Sequence, residues 1–230
     1  MKIKLIPATI EDMKNSNPGQ KNKETSEKYR EDVRVFFDEM KIFKIKSKRI
    51  IAMIVKTFDD LTLPAPGEQF RIRTQQQVNL IVLVLRILKE HGIIDELTIA
   101  TYSLNKEAFN ILSDLIKAGK IKKFNIFLAS SNRFRSELHL NYLINQSKEL
   151  YDLGFSISFV LAWSHFKITL ARCGSDYYQF EGSMNYSMNN MAEQIVLENN
   201  KDMYNYDYNF INEVMQDTNN KALEIIIKKK

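Results

Sequence analysis

The sequence predicts an α/β domain, a mainly parallel mixed sheet flanked by helices on both faces. Three observations carry that prediction. Strand-like and helix-like segments alternate between residues 74 and 162. Capping residues punctuate them: Thr74, Ser103 and Asn105 stand ahead of helical patterns, and Gly92, Gly119 and Gly154 close them. Apolar residues make up 44% of the 230 residues, enough for a substantial core.

Residues 1–35 read as a polar arm, with Asn15, Ser16, Asn17, Pro18 and Gly19 as a loop. Residues 36–230 read as one domain. Ile42, Phe43, Ile45, Ile50, Ile51, Met53 and Ile54 roughly alternate with lysines, predicting strands or a hairpin. The stretch 62–67 holds two of the four prolines and is a loop. Val78, Val82, Leu85 and Leu88 have helical spacing and predict a helix over 75–91. A strand over 96–102, a helix over 106–118 and a strand over 124–129 follow. Next come a helix over 135–150 and a strand over 155–162 rich in β-branched and aromatic residues. Chemistry in such folds sits where strands end and loops begin.

Charge points to an anionic partner. The formal net charge is +5. Lys41, Lys44, Lys46, Lys48 and Arg49 form one cluster. Lys117, Lys120, Lys122 and Lys123, followed by Arg133 and Arg135, form another. Two readings stand: solvated surface, or contacts to a phosphate backbone. No apolar run reaches the ~20 residues of a spanning helix, so no stable membrane insertion is expected. Residues 78–88 come nearest and are interrupted by Asn79 and Arg86. The apolar segment at the start is too short for a secretory leader, and a cytoplasmic location is expected. One cysteine, Cys173, excludes an internal disulfide framework and a cysteine-based zinc site.

The chemistry concentrates after the strand over 155–162. In an extended segment side chains alternate faces, so His165 and Lys167 project together. An ammonium can bind a phosphate oxygen and hold an imidazole near an electrophilic phosphorus. About fifteen residues on, a strand over 177–181 leads to Gly182 and Ser183, a turn where backbone can approach a ligand closely. Ser183 and Asn185 offer neutral donors, and Ser183 also suits orienting the turn. Glu193 opens a strand over 194–198; a buried glutamate accepting from one imidazole nitrogen would fix the tautomer.

The order His165-x-Lys167, Gly182-Ser183-x-Asn185, Asn190 and Glu193 resembles the HxK…GSxN…E signature of the phospholipase D superfamily. The preceding strand–helix units resemble the first half of that family's α/β unit, so the whole resemblance covers roughly residues 70–200. The resemblance implies a phospholipase D-like fold and cleavage without a metal or cofactor. One histidine would attack phosphorus to form a phosphohistidine, and a second would protonate the leaving oxygen and then activate water. Lys167 and Asn185 would neutralise the non-bridging oxygens. Only one copy of the motif is present, so a homodimer sharing one groove is implied. His91 reads as a helix C-terminal residue and His139 as a packed or exposed helix residue. The expected function is a nuclease on DNA or RNA, with Arg133 and Arg135 contacting backbone phosphates independently of sequence. A nucleic-acid-binding module without catalysis and a phospholipid hydrolase remain as alternatives.

Two features depart from the family pattern. Arg172 stands where many members carry an aspartate, and Lys167 lies further from Gly182 than usual, which implies a longer hairpin. Cys173 reads as a buried or hairpin residue. Tyr204, Tyr206 and Tyr208 alternate with polar residues and read as a half-buried surface segment or as base-stacking rings.

Overall fold

A computed structural model describes residues 49–54, 61–74, 80–132, 136–187, 192–216 and 224–227. All lie within the compact unit Ile45–Lys230, so the arm expected over 1–35 falls outside the described residues. The elements are β1 (Arg49–Ile54), β2 (Glu68–Thr74), α1 (Ile81–His91), β3 (Glu96–Thr101) and α2 (Lys106–Lys117). Then come β4 (Lys123–Ala129), α3 (Glu137–Asp152), β5 (Ser156–Ala162), β6 (Lys167–Cys173) and β7 (Asp176–Gly182). β8 (Glu193–Asn199), α4 (Lys201–Gln216) and β9 (Glu224–Ile227) complete the set.

The strands form one mixed sheet in the order β1-β2-β8-β7-β6-β3-β4-β5-β9. The mainly parallel pattern expected from the sequence holds for only part of it. β1/β2, β3/β4 and β4/β5 are parallel. β2/β8, β8/β7, β7/β6, β6/β3 and β5/β9 are antiparallel. Connection length explains the division. The crossovers through α2 and α3 are long enough to return the chain in the same direction. After β5 no helix intervenes, and β6 and β7 are joined through Gly174 and Ser175 alone, which forces an antiparallel pairing. The extra length between Lys167 and Gly182 goes into two seven-residue strands rather than into a loop.

Helices cover both faces, as expected. β4 and β5 show the alternation: Phe124, Ile126, Leu128, Ile157, Phe159 and Leu161 face one way with α1, α2 and α3. Phe127, Val160 and Ala162 face the other way, where Tyr204 and Ile211 of α4 meet them beside Ala100, Ile168 and Leu170. Asn105 caps α2 by accepting from Ala108 N, as its position predicts.

Thr74 ends β2, a strand the sequence reading did not assign, where Phe70, Ile72 and Thr74 are buried and Arg71 and Arg73 are exposed; residues 75–79, where the helix was expected to start, lie outside the described residues. The described helix begins at Ile81. β1 pairs in parallel with β2, so these two strands are not hairpin partners, and the segment holding Ile42, Phe43 and Ile45 lies outside the described residues. Tyr204, Tyr206 and Tyr208 lie on a helix, α4, and are buried, exposed and partly buried in turn, in keeping with a half-buried surface segment; Asn200 accepts from the first amides of α4.

Candidate active site

The parallel strands β3, β4 and β5 run to a common edge, and β6 and β8 start there. Register sets the neighbours: Lys167 pairs with Thr101, Gly182 with Ile195, and Thr74 with Glu193. Residues far apart in sequence therefore meet along one row.

His165 and Lys167 do project together. Lys167 Nζ lies 3.2 Å from His165 Nδ1. Tyr102, one residue past β3, packs against both: its ring is 4.5 Å from the imidazole, and Lys167 Nζ stands 5.8 Å from its centroid. An ammonium only donates, so Nδ1 accepts and the neutral ring carries its proton on Nε2. Partial burial lowers the Lys167 pKa from its ordinary value, while Glu193 and Tyr102 act against that shift. The Glu193 influence puts the carboxylate within electrostatic reach of the ammonium.

Glu193 is buried and accepts a hydrogen bond from Ser183 Oγ. Ser183 N donates to Gln194 O at 3.0 Å, and Gln194 N donates to Ser183 Oγ at 3.0 Å. Ser183 is thus clamped onto the start of β8, which fits the turn-orienting reading. The neighbour at His165 Nδ1 is Lys167, where the sequence suggested a carboxylate. Gly182 has a backbone reason: a Cβ there would overlap Gln194 O. Its close approach is to β8. Asn185 Oδ1 accepts from Thr101 Oγ1 at 3.4 Å, and Asn185 O accepts from Leu80 N at 3.2 Å, so its segment is tied to β3 and α1.

His165, Lys167, Gly182, Ser183, Asn185 and Glu193 are therefore gathered at one sheet edge. Arg133, Arg135 and Asn190 lie outside the described residues. His91 is the last residue of α1, with Nε2 2.9 Å from Tyr178 Oη. His139 lies in the first turn of α3, with Nε2 2.7 Å from Leu104 O. Arg172 lies at the far end of β6, beside Asp95 and Glu96. It lies five positions along the strand from Lys167, about 17 Å.

Sequence reasoning missed Thr101, Tyr102 and Asn132. Asn132 Nδ2 donates to Tyr102 O at 2.9 Å and to Ala129 O at 2.7 Å, joining the ends of β3 and β4 beneath the site. The end of a strand over 96–102 was the available signal.

No family model matches the chain, and no curated protein matches it. Solved structures do. Nuc from Salmonella typhimurium, a phospholipase D family member, is 13% identical with a TM-score of 0.43, over 58% of this chain and 86% of that one. The phosphatidylserine synthase of Haemophilus influenzae is 11% identical with a TM-score of 0.47, over 68% of this chain and 39% of that one. TrmBL2, an archaeal chromatin protein with a novel mode of DNA binding, is 11% identical with a TM-score of 0.41, over 84% of this chain and 60% of that one. At these identities no residue's role is carried over. The chain is similar to these proteins in fold, and the meaning of its site rests on its own residues.

Proposed function

We propose that the protein is a phosphodiesterase of the phospholipase D superfamily, a metal-independent nuclease acting on DNA or RNA. The observation that carries this reading is the pairing of Lys167 Nζ with His165 Nδ1, 3.2 Å apart, at an edge shared with Ser183, Asn185 and Glu193. The ammonium is suited to hold a non-bridging phosphate oxygen beside the imidazole. His165 Nε2 attacks phosphorus and the P–O bond to the leaving group breaks. A second histidine supplies the proton to that oxygen, then takes one from the water that cleaves the phosphohistidine.

Each chain offers one such histidine at this edge, so the reading requires two copies. We place the two His165 side chains across a two-fold groove in a homodimer. The division of labour follows from tautomers. With Lys167 donating to Nδ1 the ring is neutral with its proton on Nε2, and the proton-donating role needs a second proton, taken up at Nδ1. The attacking role needs the proton on Nδ1 and an acceptor beside it.

That same contact favours a second reading, a nucleic-acid-binding module that does not cut. It leaves Nε2 protonated and unable to attack. Incubation with plasmid, single-stranded DNA, RNA and phospholipid vesicles in EDTA separates the readings. Cleavage of nucleic acid that is lost in His165→Ala, with binding retained, supports the nuclease. Equal binding by both proteins without cleavage supports the module, and hydrolysis confined to vesicles overturns both.

A further inference from the structure

We propose that Trp163 stacks on an unpaired base and so gives the site a preference for single-stranded nucleic acid, an inference that rests on the nuclease reading. Trp163 is the chain's only tryptophan and is 71% exposed. It is the first residue after β5 and stands two before His165. That spacing keeps it within about 7 Å of His165 along the chain. A phosphate held at His165 and Lys167 therefore leaves its adjoining base within reach of the indole.

The neighbouring aromatics show what an internal role looks like here. Phe166 packs against Phe127 and Phe210, with centroids 6.0 and 5.6 Å away. Tyr102 lies on His165. The Trp163 ring has no such contact among the described residues. The most costly side chain to leave in water is thus left there, beside a site built for an anion. An indole face offers a base what lysine cannot: sequence-tolerant stacking on its π-surface. A duplex hides those surfaces within its own stack, whereas a single strand presents them. The stacking surface and the phosphate cradle together match a nucleotide unit, with the indole discriminating between unpaired and paired strands.

Because Trp163 is the only tryptophan, its emission reports this position alone. The test titrates the protein with a thymidine single strand of about 20 nucleotides and with a duplex of the same length, reading tryptophan emission and oligonucleotide anisotropy together. Single strand is expected to quench the emission and duplex to quench it far less. Trp163→Ala is expected to weaken single-strand binding about tenfold and duplex binding less than about twofold, with Trp163→Phe recovering most of the loss. Hydrolysis of bis(p-nitrophenyl) phosphate, which has no base, should stay within about twofold of the wild type in both variants. Emission that does not respond while anisotropy reports a bound single strand overturns the inference and leaves the nuclease reading intact. Equal losses for single strand and duplex do the same. A change of sedimentation state in Trp163→Ala reassigns the indole to a subunit contact. Binding to no nucleic acid at all overturns the inference and the reading beneath it.

Discussion

At the edge where β3 begins, Lys122 reaches Asp95 at 2.7 Å and Lys123 reaches Glu96 at 2.6 Å. Arg172 stands 3.9 Å from each carboxylate. The Lys122 ammonium and the Gly174 amide hold the Asp95 carboxyl below its ordinary pKa. At the other end of the same strands Lys167 is in no ion pair among the described residues, and its ammonium faces an imidazole and a tyrosine ring. One sheet therefore ends its charges in two ways. The first edge neutralises cations internally. The second sets a cation against an imidazole, with no carboxylate in ion-pair contact with it among the described residues. The first edge is a network that stabilises; on the proposed reading, the second is the edge that binds.

The largest expected effect breaks the second edge. His165→Ala or Lys167→Ala should lower phosphodiester cleavage on the order of a thousandfold, with the melting temperature nearly unchanged. Initial rates and thermal unfolding check this; cleavage that survives in His165→Ala removes the histidine from the mechanism. Gly182→Ala acts on the scaffold of the same edge. The added methyl overlaps Gln194 O and must force β7 and β8 apart, at a cost of about 3 kcal/mol in urea unfolding. A cost below about 1 kcal/mol would mean that the Ser183–Glu193 clamp tolerates strand separation.

Between the two edges lies a buried carboxyl. Burial, with help from Glu181 and Glu198, pushes Asp207 on α4 up to about 7 from 3.8. Its Oδ2 has no hydrogen-bond partner among the described residues. Between about pH 4 and 7 the folded chain holds a proton that the unfolded chain has released, so stability falls as pH rises through that window. Asp207→Asn should therefore stabilise the protein by about 2 kcal/mol at pH 8, and the gain should vanish by about pH 4. A pH-independent gain would point to packing instead. The smallest effect tests the first edge. Arg172→Ala should cost less than about 1 kcal/mol and leave cleavage unchanged, since the pairs it breaks are long and partly exposed. A fall in rate would couple the two edges.

Legibility in the sequence followed the range of the interaction. His165 and Lys167 could be placed together because a two-residue period is local. Asn105 as a cap and Gly92 as a helix stop were legible for the same reason. α4 was missed because Tyr204, Tyr206 and Tyr208 also fit a period of two. Its helical stripe, Tyr204, Tyr208 and Ile211, is interrupted by the buried Asp207. β2 was missed although Phe70, Ile72 and Thr74 alternate with Gln69, Arg71 and Arg73, because Thr74 is equally good as a helix cap.

The sequence by itself determined the α/β alternation, the helices on both faces and the residues from His165 to Glu193 that form the candidate site. Only the tertiary structure decided that most strand pairs are antiparallel, that Arg172 belongs to the opposite edge, and that Thr101 and Tyr102 lie beside the candidate site. Those outcomes depend on strand register and order. Register arises from pairing between segments up to 129 residues apart, as Gln69 with Glu198, and the local alternation fixes only which face each residue takes.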